Sequence, residues 1–399
     1  MNSQSITHNT RRTAADSLLR LSWGIFKVGA LAFGGHAALV VMVEQYLVSQ
    51  KKLLSSEEVL NGMSLATLLP GPLAVNVVCY LGYRLHGWLG ALAFFVAITA
   101  PPTLLMIAIA VWYYQSAGHF GSQGFVLLAV AAVVLSTGTA LYQKQIGKDA
   151  TGLMLCILAF ATTLLYRGFA GSVALIVLGA AIGYVTYRKN AEPATPMPRT
   201  APRSAIHIYV IILLTVVLVG YLLGGYRLIP HGPWQVLSVF SGMSLTLFGG
   251  GMVIIPYMQS ILVDELHWLP VKEYVDAIAF GQITPGPILV SVTFIGYKIA
   301  GIFGALLATL AIFIPSASLM IVLAQYINYQ HTGIKAVFKG IRPVVIGMIL
   351  AAGVQLVLAM PHFSWDAVLF GIAGLAAISF GRFHPIYLIL LGFIMDFIF

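Results

Sequence analysis

A chain of 399 residues, 59% hydrophobic and only 8% charged, with a mean hydropathy of +0.94, is not an ordinary soluble protein, where about a quarter of residues carry charge. Its formal charge of +9 comes from 21 Lys and Arg against 12 Asp and Glu. These basic residues fall between apolar runs, where they read as topology signals and not as a nucleic-acid footprint. An all-α polytopic membrane protein is predicted, with the lipid bilayer as its solvent and no nucleic-acid partner.

Residues 1–17 form a polar tail without a cleavable signal pattern, so the apolar run beginning at Leu18 is expected to be retained. A first transmembrane repeat, 18–187, holds apolar segments at 18–48, 59–83, 89–112, 125–142, 151–165 and 169–187. A polar basic linker, 188–204, and an extra connecting helix within 205–225 lead into a second repeat, 232–399. Its segments are 234–262, 274–297, 302–326, 337–358, 365–378 and 385–397, which brings the total to thirteen.

The halves are copies. FGG at 33–35 recurs at 248–250 and PGP at 70–72 recurs at 285–287, both at an offset of 215. Gly82-Tyr83-Arg84 matches Gly296-Tyr297-Lys298 at 214, so one residue is missing between the motifs. Seven segments separate each element from its copy, and an odd number predicts inverted-topology repeats. With a cytoplasmic N-terminus, fifteen basic residues lie inside and five outside (Lys51, Lys52, Arg167, Arg227 and Lys298), with Lys27 in the membrane. The expected location is the cell (inner) membrane.

Thirty-one residues in segment 18–48 would span about 46 Å as one helix, against a hydrocarbon core of about 30 Å. Paired glycines, Gly34-Gly35 and Gly249-Gly250-Gly251, invite a break there. Pro70, Gly71 and Pro72, with Pro285, Gly286 and Pro287, break the second segment of each half, because proline lacks an N–H and frees a carbonyl. A half-helix is predicted to start after each PGP. Such a start exposes orphan N–H groups worth roughly half a positive charge, and anions bind there.

Asn76 and Ser291, one turn into the half-helices, together with Thr67, Gln282, Thr284 and His36, are the side chains that could complete a cage of donors. The plainer alternative is that Gly and Pro only kink packed helices. Among charged groups, Lys27 could attract an anion or pair locally, and Glu44 and Asp276 could carry protons or sit solvated at segment ends. Arg84 and Lys298 could form basic mouths or serve as topology anchors. Cys79 and Cys156 read as packing residues, and Gly179 and Gly183 as a helix-packing GxxxG. No nucleotide-binding, metal or catalytic motif is evident, so neither a cofactor, a metal nor enzymatic activity is expected.

FGG, LLPGP and GYR in the first half, with FGGG, DAIAFGQITPGP, TFIGYKIAG and ATLAIFIPS in the second, resemble the chromate ion transporter (CHR) family in its long, two-repeat form. The resemblance covers roughly 26–107 and 240–321. It departs at His36, where proline is expected after FGG, and at Thr67, where glutamine is expected. It implies a secondary transporter that exports chromate, a tetrahedral dianion resembling sulfate, and confers chromate resistance. A carrier for sulfate or another oxyanion, and a membrane-embedded scaffold without transport, are the alternatives. A homodimer is compatible with the pattern.

Overall fold

The computed structural model describes residues 18–33, 35–67, 69–115, 124–147, 149–166, 169–188, 205–247, 254–326, 332–360, 364–381 and 383–398. These hold fifteen α-helices and no strand. Gly34 and Gly249 to Gly251 lie outside the described residues, as do the side chain of His36 and most of the linker.

The first repeat opens with α1 (Leu18–Leu31), whose Leu21, Ile25 and Val28 form a buried stripe at helical spacing. After the FGG break, α2 (Gly35–Glu44) widens into π-helical turns over Gln45–Gln50. The chain here turns back instead of continuing. Tyr46 packs on Gly24 so closely that a Cβ on that glycine would clash, and its hydroxyl donates to the Arg20 carbonyl at 3.4 Å. A continuous helix would hold residues 24 and 46 about 33 Å apart.

The same reversal occurs at PGP. α3 (Ser56–Ala66) starts on a capping box formed by Ser55 and Glu58, and α4 (Leu73–Gln115) starts directly after Pro72. Gly62 of α3 lies against Tyr80 of α4, and Glu58 pairs with Arg84 at 3.0 Å, so the two helices run back to back. α4 itself folds at His86 (φ −139°, ψ 24°) and Gly87 (φ 62°, ψ −151°). Gly82 and Gly90 then meet backbone to backbone, with a Cβ on Gly82 falling 2.5 Å from the Gly90 carbonyl oxygen. Legs 73–85 and 88–115 result.

Past α5 (Phe125–Gln145), α6 (Ala150–Leu165), α7 (Phe169–Tyr187) and the extra helix α8 (Ala205–Leu222), the pattern repeats. α9 (Pro233–Thr246) is followed by α10 (Ile254–Met258) and its π-helical extension Gln259–Glu265, then by α11 (Val271–Ile283). A 3₁₀ turn, Ile288–Val290, leads into α12 (Ser291–Tyr326), which folds at Ala300 (φ −147°, ψ 33°) and Gly301 (φ 59°, ψ −151°). α13 (Thr332–Leu358), α14 (Trp365–Ser379) and α15 (Pro385–Ile398) complete the chain.

Segments 18–48 and 59–83 and their copies are therefore helical hairpins with both ends on one side, not interrupted crossings. Glycine and proline break a helix equally well whether the chain runs on or reverses. Five legs rather than seven now separate an element from its copy, and the parity that makes the repeats inverted stays odd. Among the described residues, four helical stretches are long and apolar enough to cross a bilayer, Leu73–Gln115, Phe125–Gln145, Ile288–Gln325 and Lys335–Leu358, with five shorter apolar helices around them.

The repeats interleave. α13 packs on α6 and α7 of the first repeat, and α5 packs on α14 and α15 of the second. Glycines allow the approach: Gly179 and Gly183 of α7 press on Gly340 of α13, and Gly392 of α15 presses on Val126 of α5. Reciprocal exchange of this kind is what a two-fold relation between the copies produces. The long helices α4 and α12 pack together at the centre, where Phe95 and Phe313 stand 6.4 Å apart.

Candidate functional site

The PGP elements form two hairpin tips, and each tip holds the other repeat. Proline has no N–H, so the single amide donor in each PGP is that of glycine. The Gly71 N–H donates to the Leu247 carbonyl at 2.7 Å, and the Gly286 N–H donates to the Ala32 carbonyl at 2.9 Å. Ala32 and Leu247 are themselves repeat equivalents, each one residue ahead of its FGG. Both glycines sit at positive φ, 104° and 95°. The residues just ahead of each FGG thus meet the PGP tip of the other repeat, and all six Pro and Gly residues of the tips are buried.

Helix α4 starts at Leu73, and its first turn presents N–H groups with no acceptor inside the helix. Asn76 is fully buried and committed at both ends: its Nδ2 donates to the Pro70 carbonyl at 3.2 Å and its Oδ1 accepts from Ser316 Oγ at 3.1 Å. The Ser316 N–H donates in turn to Ser244 Oγ at 3.2 Å. Asn76 therefore braces the first tip against α12 and α9. Ser291 in the second tip is also fully buried, but its Oγ has no partner. Thr284 reaches the Gly281 carbonyl at 3.4 Å, Gln282 is half-buried, and Thr67 is exposed with its hydroxyl on the Ser64 carbonyl at 2.7 Å.

The charged candidates separate. Arg84 and Lys298 close the bases of the two PGP hairpins by pairing with Glu58 and Glu273, residues at the repeat offset. Asp276, expected near a solvated segment end, is wholly buried on α11 and accepts from the Tyr113 hydroxyl at 2.7 Å, because the chain reversal brings the end of α4 onto α11. Tyr114 donates to Glu273 at 3.0 Å beside it. Glu44 is half-buried at the end of α2. Lys27 is exposed, with its ammonium 5.8 Å from the Trp23 ring centre.

Ser316, Ser244, Tyr113, Glu58 and Glu273 belong to the bonding network around the candidate residues, and the motifs alone do not single them out. Two traces are readable: Glu58 and Glu273 recur at 215 while Arg84 and Lys298 recur at 214, and Ser316 closes the ATLAIFIPS stretch. Cys79 and Cys156 are buried free thiols. The described residues contain no cluster of His, Cys, Asp and Glu suited to a metal.

Two interleaved all-α repeats whose broken helices meet tip to carbonyl at the centre define a membrane protein of the inverted-repeat transporter class. Residues 19–184 and 234–397 match the sequence model of the chromate transporter family, one stretch per repeat, and the chain belongs to that family. It is 29% identical over 360 residues to a chromate transport protein of Cupriavidus metallidurans, covering 85% of this chain and 82% of that one. A probable chromate transport protein of Synechococcus elongatus is 30% identical over 350 residues, 86% of this chain and 85% of the relative. An uncharacterized transporter of Methanocaldococcus jannaschii is 26% identical over 400 residues, 96% and 94% of the two chains. No solved structure matches.

Proposed function

We propose that this chain exports a tetrahedral oxyanion, chromate, from the cytoplasm across the inner membrane by alternating access. The observation that carries the reading is the reciprocal pair of bonds from Gly71 to Leu247 and from Gly286 to Ala32, which sets two helix starts at a buried, pseudo-symmetric centre. Helix starts bind anions without a buried cation, which suits a solute that must also leave. The roles fall to the first turn of α4 and to the start of the 3₁₀ turn Ile288–Val290 that leads into α12, with Ser291 as the open hydroxyl and Asn76 holding the first tip in shape. Loosening one reciprocal bond while keeping the other would expose the centre to one side at a time.

The hairpins also sharpen the orientation. Because 18–48 folds back, Lys51 and Lys52 return to the side of the N-terminus, while Lys272 joins the opposite side. Sixteen basic residues then lie with the N-terminus and four opposite, which supports a cytoplasmic N-terminus more strongly than the uninterrupted spans do. Outward movement of two negative charges gains about 4.6 kcal/mol per 100 mV, at roughly 2.3 per charge, so the potential alone favours export.

Labelled chromate uptake into inside-out vesicles, with pH gradient and potential imposed separately, tests the reading. Potential-driven uptake that Ser291→Leu abolishes in a folded protein is the expected result, and normal uptake by that variant would misplace the site. Main-chain amides and one hydroxyl discriminate charge and shape and not the central atom, which favours sulfate as a second cargo. Sulfate competing with chromate in the same assay would bear this out.

A further inference from the structure

The first hairpin of repeat one encloses a cavity of about 410 Å³ between α1 and the helical turns after α2. Three cations line it, Arg20, Lys27 and Lys51, along with Gln45, Tyr46 and Gln50, and none of the described lining residues is acidic. Arg20 and Lys51 stand at the base of the hairpin, and Leu31 lies at its inner end, next to the Ala32 carbonyl that receives the Gly286 bond. Three positive side chains around one concavity, in a chain with so few charges, focus a field that attracts a dianion.

The copy of this cavity in repeat two is filled. Lys27 corresponds to Gly242, and the Tyr221 ring of the extra helix α8 occupies the space a side chain would need there. Met42 corresponds to Tyr257, whose hydroxyl lies 3.3 Å from that of Tyr221. Arg20 corresponds to Gln235, which donates to the Tyr226 carbonyl at 3.1 Å. Gln50 corresponds to Glu265, which accepts from Tyr226 and, at 2.8 Å, from Arg227. The one helix without a repeat partner thus plugs one of two equivalent grooves and leaves the basic one open.

We propose that the α1–α2 groove of repeat one is an oxyanion-binding site that loads the central tips from the N-terminal face only, with Arg20, Lys27 and Lys51 as its charge and Tyr46 and the two glutamines as donors. This rests on the transport reading for its role, but not for its occupancy. A free oxyanion and a lipid phosphate share the chemistry the groove recognises.

Equilibrium binding of labelled sulfate to the full-length protein in phosphatidylcholine nanodiscs tests it. A saturable component weakened about tenfold by Lys27→Gln and by Arg20→Gln, and retained in Ser291→Leu, is expected from the loss of one charge-assisted contact, with Lys27→Arg keeping affinity and the distant Lys144→Gln without effect. In vesicles, Lys27→Gln should raise the chromate KM by a similar factor at unchanged maximal rate. Sulfate binding that phosphatidylglycerol competes away supports the same site and assigns its resting occupant to a lipid phosphate. Wild-type affinity in both neutralised variants overturns the proposal, even if flux is normal. Lys27-dependent binding without any chromate flux leaves the groove standing and removes the transport reading instead.

Discussion

Gly71 and Gly286 meet two separate demands, one of backbone and one of space. Each has a positive φ that an L side chain rarely adopts, and each faces a close neighbour, Ser316 for Gly71 and Pro102, 2.9 Å from an added Cβ, for Gly286. Gly87 shares only the first demand, since nothing lies within 4 Å of a Cβ there. Gly71→Ala should therefore lower stability by about 3 kcal/mol or more, and Gly87→Ala by about 1–2 kcal/mol from backbone strain alone. Thermal unfolding of the two variants in one detergent checks the order. The Asn76 to Ser316 bond predicts a coupling of about 0.5–1.5 kcal/mol in a cycle of Asn76→Ala and Ser316→Ala.

At the α5–α6 turn, partial burial pushes the Asp149 carboxyl up, but the Tyr187 hydroxyl, the Gly152 and Thr151 amides and nearby Lys339 outweigh it and hold it below the ordinary aspartate range. A carboxyl lowered on folding lends stability above its unfolded value and loses it as pH falls through the folded one. The unfolding midpoint should drop on acidification below about pH 4, and Asp149→Asn should flatten that drop.

Between residues and the whole lies the hairpin, an element whose ends and tip were open to sequence reasoning while its direction was not. The 215-residue offset of FGG and PGP locates all four breaks, and the helix start after each PGP follows from proline chemistry. Nothing local reveals that the chain reverses there. That information sits in the pairing of Glu58 with Arg84, 26 positions apart, which only a fold-back can bring together. The two base pairs should differ in weight. Arg84 and Glu58 are each about a third exposed, at 33% and 34%, whereas Lys298 and Glu273 are at 26% and 21% and Glu273 also accepts from Tyr114. Exposed pairs contribute about 0.2–1 kcal/mol. Lys298→Gln should thus be more damaging than Arg84→Gln, changes that break each pair and leave the Ser55–Glu58 capping box in place, measured as unfolding midpoints.

The interleaving of α5 with α14 and α15, and of α13 with α6 and α7, means that neither repeat encloses its own core. Asp396 of α15 illustrates it, accepting from the Phe125 and Val126 amides at 2.9 and 3.0 Å and so capping a helix 270 positions away. Coexpressed halves divided within 188–204 should assemble into a single complex, while each half alone should aggregate or be degraded; copurification through one tagged half reads this directly. Duplication was legible from repeated motifs, but this exchange was not, because apolar helices such as α5 and α14 carry no mark of which apolar neighbour they choose. The extra helix α8 was equally plain as a span and silent as a plug, since Tyr221 acts on Gly242 only once the fold has placed them.

The missing residue between the motifs has a mechanical answer in the 3₁₀ turn Ile288–Val290. The leg from tip to fold has thirteen residues in the first half, 73–85, and twelve in the second, 288–299. Thirteen α-helical residues rise about 19.5 Å, and three 3₁₀ residues plus nine α-helical ones also rise about 19.5 Å, at roughly 2.0 and 1.5 Å per step. A tighter winding has kept the two arms equal in reach after a deletion, so each tip still arrives at its carbonyl in the opposite repeat.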